Sequence, residues 1–413
     1  MRIVQWSITS RERIHNEARK MSELSPSVAF KDCRSECVFV VFNPMNWDIP
    51  ADKSPWGKVL FDKLNISCVY VTSRAQDWYC SEEKSWLEKI KIFTDKHRYR
   101  IGYGYSMGAY AALKFSRLLE LSHVLALSPQ ISIAPLDVHT FDERYASKYD
   151  SQKHSGMCIS STDISGECHV YYDPDFHPDR SHAKFLGGFG VYLHELPGFS
   201  HETINAFKSS QLFSVINQSI IANGTIKTNG FLNALRESYK TKPEYIAYVA
   251  LRLKNSGRLR WATSFLQKYF QNDSTWRGFD SKNRAFSIIL SIFVHQIYIE
   301  HGVEFALKWL EERKMIVGSI PPRPYEILCE LVYKSDGNRA LYEKVIEIGV
   351  VESNNPYPLM RKLAKVAYNK KDYDKSISIL ENCRHAFKGN QGFNKQFNES
   401  LEARIASDRA RIL

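Results

Sequence analysis

Ser106 has the residue type and the neighbours that nucleophilic acyl chemistry needs. It is the centre of the pentapeptide GYSMG, residues 104–108. A serine hydroxyl is a poor nucleophile until a histidine within hydrogen-bond reach takes its proton. A buried carboxylate must in turn hold that histidine in one tautomer. If Ser106 is reactive, a histidine and an acid from other parts of the chain must be brought beside it.

The segments around this pentapeptide predict a strand, a sharp turn and a helix. Residues 99–103 are aromatic and β-branched, and apolar residues recur at helical spacing from 109 to 119. Glycine at positions 104 and 108 suits a turn in which neighbouring backbones crowd each other. Turns of glycine and serine also occur without chemistry, but this context favours a reactive serine. The segment resembles the nucleophile elbow of the α/β-hydrolase superfamily.

The resemblance implies a histidine after the last strand, because the superfamily orders its triad as serine, acid, histidine. Residues 191–196 predict that strand, and His201 follows it after a glycine-containing loop. Other histidines are less well placed. His177 and His182 lie in or beside the acid's loop, and His194 lies inside the strand.

The acid is sought where the strand at residues 168–172 ends, in a loop with three aspartates. Alignment of the following helix with the family's equivalent helix favours Asp175. Asp179 is the second choice, although it is also well placed to cap a helix that begins at Ser181. Asp173 is the third, since it could instead shape the turn at the end of the strand.

The resemblance also implies two backbone N–H groups that stabilise the oxyanion. The residue after the serine supplies one, which here is Met107. The loop after the strand at residues 37–42 supplies the other, from residues 43–45. Pro44 has no N–H, and Met45 is our choice in this loop.

Strands and helices alternate through the first half of the chain. Apolar runs at residues 37–42, 66–71 and 123–127 predict strands buried on both faces. This rhythm predicts a mainly parallel sheet with helices on both faces, an α/β fold of the α/β-hydrolase type.

Residues 128–167 interrupt this pattern with little periodicity, where the hydrolase fold often carries a segment that covers the site. Arg144 in this segment could meet an anionic substrate group, but an ion pair with a neighbouring carboxylate is favoured. The stretch of sequence from Ser106 to His201 leaves no room for a large lid domain, so we expect a compact, uncapped hydrolase with a relatively open site.

From residue 225 the strands disappear, and we place a boundary near Asn223-Gly224, giving domains 1–224 and 225–413. Four pairs of amphipathic helices follow, and the turns from Gly302 to Gly337 and from Gly337 to Lys371 are spaced by 35 and 34 residues. That spacing matches a tetratricopeptide period, although the first step of 45 does not. Residues 371–377 also resemble the start of the second helix of a tetratricopeptide repeat. We therefore expect an all-α, tetratricopeptide-like repeat module.

The net charge of +11 resides in the second half. Residues 1–224 hold 25 basic and 25 acidic residues, whereas residues 225–413 hold 31 and 20. A basic helical surface would attract an acidic protein segment, an acyl carrier protein or an anionic glycan. Nucleic acid is disfavoured, because no binding motif or dense arginine cluster is present. Solvated lysines without a partner are the alternative.

Composition predicts a soluble protein of two domains. The eight cysteines are scattered, and the pair Cys33 and Cys37 has no second half, so neither zinc nor another cofactor is expected. No apolar run approaches the ~20 residues of a membrane span. The first twenty residues lack the apolar core of a signal peptide, so we expect a cytoplasmic location.

These observations predict a serine hydrolase that cleaves an ester or thioester through an acyl-enzyme. The preference for esters over amides comes from the resemblance. One alternative is an acyltransferase, in which an alcohol replaces water. Another is an inactive hydrolase-like scaffold, which the presence of both Ser106 and His201 argues against.

Overall fold

The computed structural model describes residues 26–45, 47, 54–80, 84–277, 283–388 and 390–412. The chain forms two compact units, and the sequence boundary between them falls after Tyr245. The first unit thus extends beyond the boundary predicted at Gly224. Ile226, Phe231 and Leu235 explain this difference, because they are buried in the core of the first unit.

The first unit is built on a seven-stranded sheet in which every neighbouring pair is parallel except the first. The strand order is β1-β3-β2-β4-β5-β6-β7. This architecture confirms the predicted α/β fold. The strands are β1 (Ser27–Lys31), β2 (Cys37–Phe42), β3 (Ser67–Thr72), β4 (Tyr99–Tyr105), β5 (His123–Leu127), β6 (Glu167–Tyr172) and β7 (Tyr192–Glu195).

Helices cover both faces of this sheet. Along β2, Val38, Val40 and Phe42 face one core, whereas Phe39 and Val41 face the other, because side chains alternate along a strand. The helices of this unit are α1 (Lys58–Asp62), α2 (Ser85–Thr94), α3 (Met107–Lys114), α4 (Pro135–Val138), α5 (His177–Gly187), α6 (Ser210–Asn223) and α7 (Asn229–Tyr239). α2, α3 and α5 contribute to the first core, and α1, α6 and α7 to the second.

The edge strand β1 was not predicted. It pairs antiparallel with β3, and its side chains are mostly exposed or half-buried. The central strands are more easily recognised, since β2 is buried at all six positions and forms a continuous apolar run.

The carboxyl ends of the parallel strands meet at one edge of the sheet. In the register, Gly104 of β4 lies opposite Phe42 of β2 and Ala126 of β5. Beyond the strands, the N–H of Ser106 donates to the carbonyl of Leu127 at 2.8 Å. The loops after β2, β4, β5 and β6 therefore converge, as a site built on a parallel sheet requires.

The second unit is helical, and the four predicted helix pairs are present. Three pairs turn at glycines with left-handed backbone: Gly257, Gly302 and Gly337. Lys371 occupies the fourth turn with a φ of 63°. The helices are α8 (Pro243–Asn255), α9 (Leu259–Gln267), α10 (Asp273–Arg277), α11 (Arg284–His301), α12 (Val303–Val317), α13 (Arg323–Asp336), α14 (Arg339–Glu352), α15 (Tyr357–Asn369), α16 (Tyr373–Cys383) and α17 (Gln391–Ile412).

All eight cysteines are free. Burial raises the pKa of the Cys37 and Cys68 thiols to about 12, so both are neutral core side chains at pH 7. Across the described part of the chain, no helix has the length and apolar character needed to cross a membrane.

Candidate active site

Ser106 lies in a strained turn between β4 and α3, with a φ of 54° and a ψ of −120°. A Cβ at position 104 would approach the Gly108 carbonyl group to 2.2 Å, and a Cβ at Gly108 would approach the Phe42 carbonyl oxygen to 2.2 Å. Only glycine fits at either position without displacing backbone. Holding a non-glycine residue in such a conformation costs about 1–3 kcal/mol, which the packing around it must offset.

A chain of two hydrogen bonds joins Ser106 to a histidine and an aspartate. His201 Nε2 lies 2.9 Å from Ser106 Oγ, and His201 Nδ1 lies 2.8 Å from Asp179 Oδ2. The Asp179 side chain is fully buried, whereas that of His201 is 17% exposed. A carboxylate accepts the proton on Nδ1, which leaves the Nε2 lone pair facing the serine hydroxyl. This arrangement can draw the proton from the serine.

The carboxylate beside His201 is Asp179, and not the favoured Asp175. Asp175 is exposed, and its backbone N–H donates to Asp173 Oδ1 at 2.9 Å. The residue at which the helix begins explains why Asp179, and not Asp175, lies beside His201. α5 starts at His177 and not at Ser181, so Asp179 lies in its first turn, buried, and does not cap it.

Asp173 shapes the loop that carries the histidine. Its Oδ2 accepts the backbone N–H groups of Gly198 and Ser200, and its Oδ1 accepts that of Asp175. Burial raises the pKa of Asp173, and these three N–H groups oppose that effect. The end of β6 is thereby tied to the loop that presents His201.

Arg144 binds the second oxygen of the Asp179 carboxylate. Its guanidinium lies 2.9 Å from Asp179 Oδ1 and 2.7 Å from Asp142 Oδ2. The ion pair favoured for Arg144 is thus present. Burial alone would raise the pKa of Asp142, but the hydrogen bond with His182 and the Arg144 guanidinium hold it well below its usual range. Asp142 is therefore ionised and keeps Arg144 in place.

Two polar side chains that the sequence did not single out contact the serine. Gln130 Nε2 donates to Ser106 Oγ at 3.3 Å, and Trp78 Nε1 donates to Gln130 Oε1 at 3.2 Å. The Tyr145 phenol lies near Ser106, and burial raises its pKa, so it stays protonated. Gln130 follows β5 at the edge where the loops converge, which is the signal that could have identified it.

The predicted oxyanion donors belong to the start of α3 and to the loop after β2. Met107 is the first residue of α3, where backbone N–H groups have no partner within the helix. In the loop after β2, the N–H of Asn43 already donates to the Val71 carbonyl at 3.3 Å. Because Pro44 has no N–H, Met45 stays the predicted second donor.

Within the residues described, no group of three or more histidine, cysteine, aspartate or glutamate side chains converges as metal ligands.

No protein family model matches the chain, and no curated protein matches it. Among solved structures, the chain is similar to the capsule O-acetyltransferase of Neisseria meningitidis serogroup A, with 13% identity, a TM-score of 0.36 and coverage of 47% of this chain and 91% of that one. It is similar to a lidless α/β serine hydrolase of Xanthomonas campestris, with 12% identity, a TM-score of 0.31 and coverage of 49% and 90%. A tetratricopeptide repeat protein of Thermus thermophilus matches at 12% identity, a TM-score of 0.27 and coverage of 46% and 98%.

Proposed function

We propose that the protein is a serine hydrolase that cleaves esters or thioesters, with Ser106 as nucleophile, His201 as general base and Asp179 as the acid that orients it. The observation that carries this proposal is the pair of hydrogen bonds that joins the three side chains, at 2.9 and 2.8 Å. The strained turn at Ser106 supports it, because such strain is concentrated at reactive positions.

In the first step, Ser106 Oγ attacks the acyl carbon as its proton moves to His201 Nε2. Asp179 stabilises the imidazolium that forms. The tetrahedral intermediate collapses when His201 returns the proton to the leaving alcohol or thiol, which leaves the acyl group on Ser106. Water then attacks this acyl-enzyme as its proton moves to His201, and His201 returns that proton to Ser106 Oγ as the acid leaves.

The negative charge on the intermediate's oxygen would be held by the N–H groups of Met107 and Met45. Removing one such donor costs about 10² to 10³ in rate in well-studied hydrolases. The position of Met107 at the start of α3 adds the positive end of the helix dipole. Both donors come from the backbone, so they are fixed by the sheet edge and by the elbow.

An irreversible fluorophosphonate probe tests this proposal directly. We expect the full-length protein to be labelled at Ser106 and to hydrolyse 4-nitrophenyl acetate, and Ser106→Ala to do neither. Ser181→Ala is the matched control and should behave as wild type. The Ser181 hydroxyl donates to the carbonyl of His177, within the same helix α5. Absence of labelling in a folded wild-type protein, or equal labelling of Ser106→Ala, would refute the proposal.

We further propose that the helical unit recruits an acidic partner, either an acidic protein segment or an anionic glycan. Residues 246–413 hold 27 Lys and Arg against 18 Asp and Glu. The excess of positive charge therefore persists when the boundary is moved to the position seen in the structure. A net charge of this sign favours encounter with an acidic surface.

A further inference from the structure

A polar pocket lies in the first unit, and none of the hydrogen-bonded residues Ser106, Asp179 and His201 lines it. Its volume is about 330 Å³, and its walls are residues 74–77, which follow β3, and four residues between positions 148 and 154. Pockets that bind small molecules begin at about this size. The pocket is large enough for part of a substrate.

His154, one of the residues that line the pocket, has a buried ring nitrogen without a partner. The residue is 3% exposed, and its ring stacks on Tyr149. His154 Nδ1 has two backbone contacts, to the N–H of Asp150 at 2.9 Å and to the carbonyl of Asp150 at 3.1 Å, and the shorter one favours the tautomer with its proton on Nε2. That Nε2 is buried and has no hydrogen-bond partner in the structure as described. A buried donor without a partner is unfavourable, so a ligand oxygen would be favoured there.

The charged groups of the pocket leave an excess of positive charge. Asp77 is buried, accepts the Ser73 hydroxyl at 3.1 Å and lies 3.2 Å from the Lys153 ammonium, so these two charges offset each other. Arg74 and Lys148 form no ion pair among the described residues. One further carboxylate, Asp150, is exposed, and its Oδ1 accepts the N–H groups of residues 152 and 153.

Both walls of the pocket continue into side chains that reach the serine. Residues 74–77 run directly into Trp78, which holds Gln130 against Ser106. Lys148 ends the single helical turn that follows Tyr145, whose phenol lies near Ser106. The rings of Trp78 and Tyr145 touch, with their centroids 5.1 Å apart. This aromatic pair thus joins the two chain segments that form the walls of the pocket.

The backbone is strained in the first wall and directly after it. Gln76, Trp78 and Tyr79 have φ angles of 51°, 53° and 58°, in the left-handed region that side chains rarely adopt. Such strain is concentrated at binding and catalytic sites.

We propose that this pocket binds an oxyanion group of the substrate, a carboxylate or a phosphate, while the acyl group reaches Ser106. Arg74 and Lys148 supply the charge, and the His154 Nε2–H donates to one oxygen of the anion. The assignment of this anion to the substrate rests on the proposed function. A guanidinium suits either oxyanion, since its parallel N–H groups match two oxygens.

Calorimetric titration of the full-length protein with inorganic phosphate and with acetate tests the pocket itself. We expect saturable binding of at least one of the two, weakened about tenfold or more in Arg74→Gln and in Lys148→Gln, because each substitution removes a charged hydrogen bond to the anion. Lys184→Gln, on the exposed face of α5, is the control and should bind as wild type. The anion that binds more tightly identifies the group. No saturable binding, or unchanged affinity in Arg74→Gln, would overturn the proposal.

Two esters of 4-nitrophenol test the link to the reaction, one with a neutral butyryl chain and one with a glutaryl chain that ends in a carboxylate. We expect Arg74→Gln to raise KM for the glutaryl ester about tenfold, with kcat and the kinetics of the butyryl ester unchanged. Equal effects on both esters would overturn the assignment of the anion to the substrate. Phosphate binding in a protein that hydrolyses neither ester would support the pocket and overturn the proposed hydrolysis.

Discussion

At the scale of single residues, the carboxylate of Asp179 binds two side chains at once. One oxygen accepts from His201 and the other faces Arg144. A neutral amide at this position could still hydrogen-bond, but it could not stabilise an imidazolium or fix its tautomer.

We therefore predict that Asp179→Asn lowers kcat for 4-nitrophenyl acetate by on the order of 10⁴-fold. Asp175→Asn, only four residues away and exposed, is the matched control and should keep activity within about twofold, as expected for a surface change away from the reacting groups. Steady-state kinetics of the two variants compare the two acids directly. The reverse ranking would identify Asp175 as the acid.

How far the sequence predicts this site depends on the kind of residue. Ser106 and His201 follow strands that are easily recognised, and the structure brings them together. The acid was harder, because three aspartates share one loop and the choice depends on the residue at which α5 begins. Gln130 and Tyr145 lie in the segment without periodicity, so only the three-dimensional path of the chain brings them to the serine.

At the scale of secondary-structure elements, the elbow fixes the serine only if β2, β4 and α3 approach closely. Gly108 marks that approach, because its Cα faces the carbonyl of Phe42 at the end of β2. A methyl group there must push two elements of the sheet edge apart.

We predict that Gly108→Ala destabilises the protein by about 2–3 kcal/mol, the upper range for overpacking, and abolishes labelling of Ser106 by the fluorophosphonate. Gly188→Ala is the matched control, because an added Cβ there meets no atom closer than 3.4 Å. Urea unfolding monitored by fluorescence measures both changes. Wild-type stability and labelling in Gly108→Ala would contradict the packing described here.

The histidines of β6 and β7 give the fold a pH dependence. His169 Nδ1 lies 2.8 Å from His194 Nε2, and His169 Nε2 lies 2.6 Å from Glu167 Oε1. Burial lowers the pKa of His194 to about 4, with the nearby His169 and Lys227 adding to the effect. An unfolded histidine has a pKa near 6.5. Between these values the unfolded state binds more protons, so stability falls as pH falls.

We predict that protonation of His194 in the unfolded state lowers the free energy of unfolding by about 1 kcal/mol between pH 7.5 and pH 5.5. His194→Gln should remove that part of the pH dependence, whereas His177→Gln, an exposed histidine, should retain it. Urea unfolding of the three proteins at both pH values gives the comparison. An identical pH dependence in His194→Gln and wild type would show that this histidine is not buried in its neutral form.

At the scale of the whole molecule, the position of the domain boundary shows what charge and glycines can and cannot indicate. The shift in charge and the glycine at 224 suggested an end there, and Gly224 does end α6 with a left-handed backbone. Yet α7 follows at once and buries Phe231 and Leu235 in the core of the first unit. Side-chain burial across the turn, which no local pattern reveals, decides where the unit ends.

A protein truncated after Tyr245 should therefore unfold cooperatively and retain labelling at Ser106. One truncated after Gly224 should aggregate, because the apolar surface that α7 covers would be exposed. Thermal unfolding and gel filtration of the two truncated proteins measure this difference. Equal behaviour of the two would indicate that α7 adds nothing to the first unit.

The excess charge of the second unit makes a prediction that does not depend on the chemistry at Ser106. If residues 246–413 attract an acidic partner, the full-length protein should bind polyglutamate or heparin at low ionic strength, and the protein truncated after Tyr245 should bind much less. Raising the salt to about 0.5 M should weaken binding strongly, since charges on exposed side chains are screened over less than 10 Å at such concentrations. Ser106→Ala should bind as wild type, which separates recruitment from catalysis. Equal binding by the full-length and truncated proteins would mean that the lysines and arginines of the helices are only solvated, and the recruitment role would then have no support.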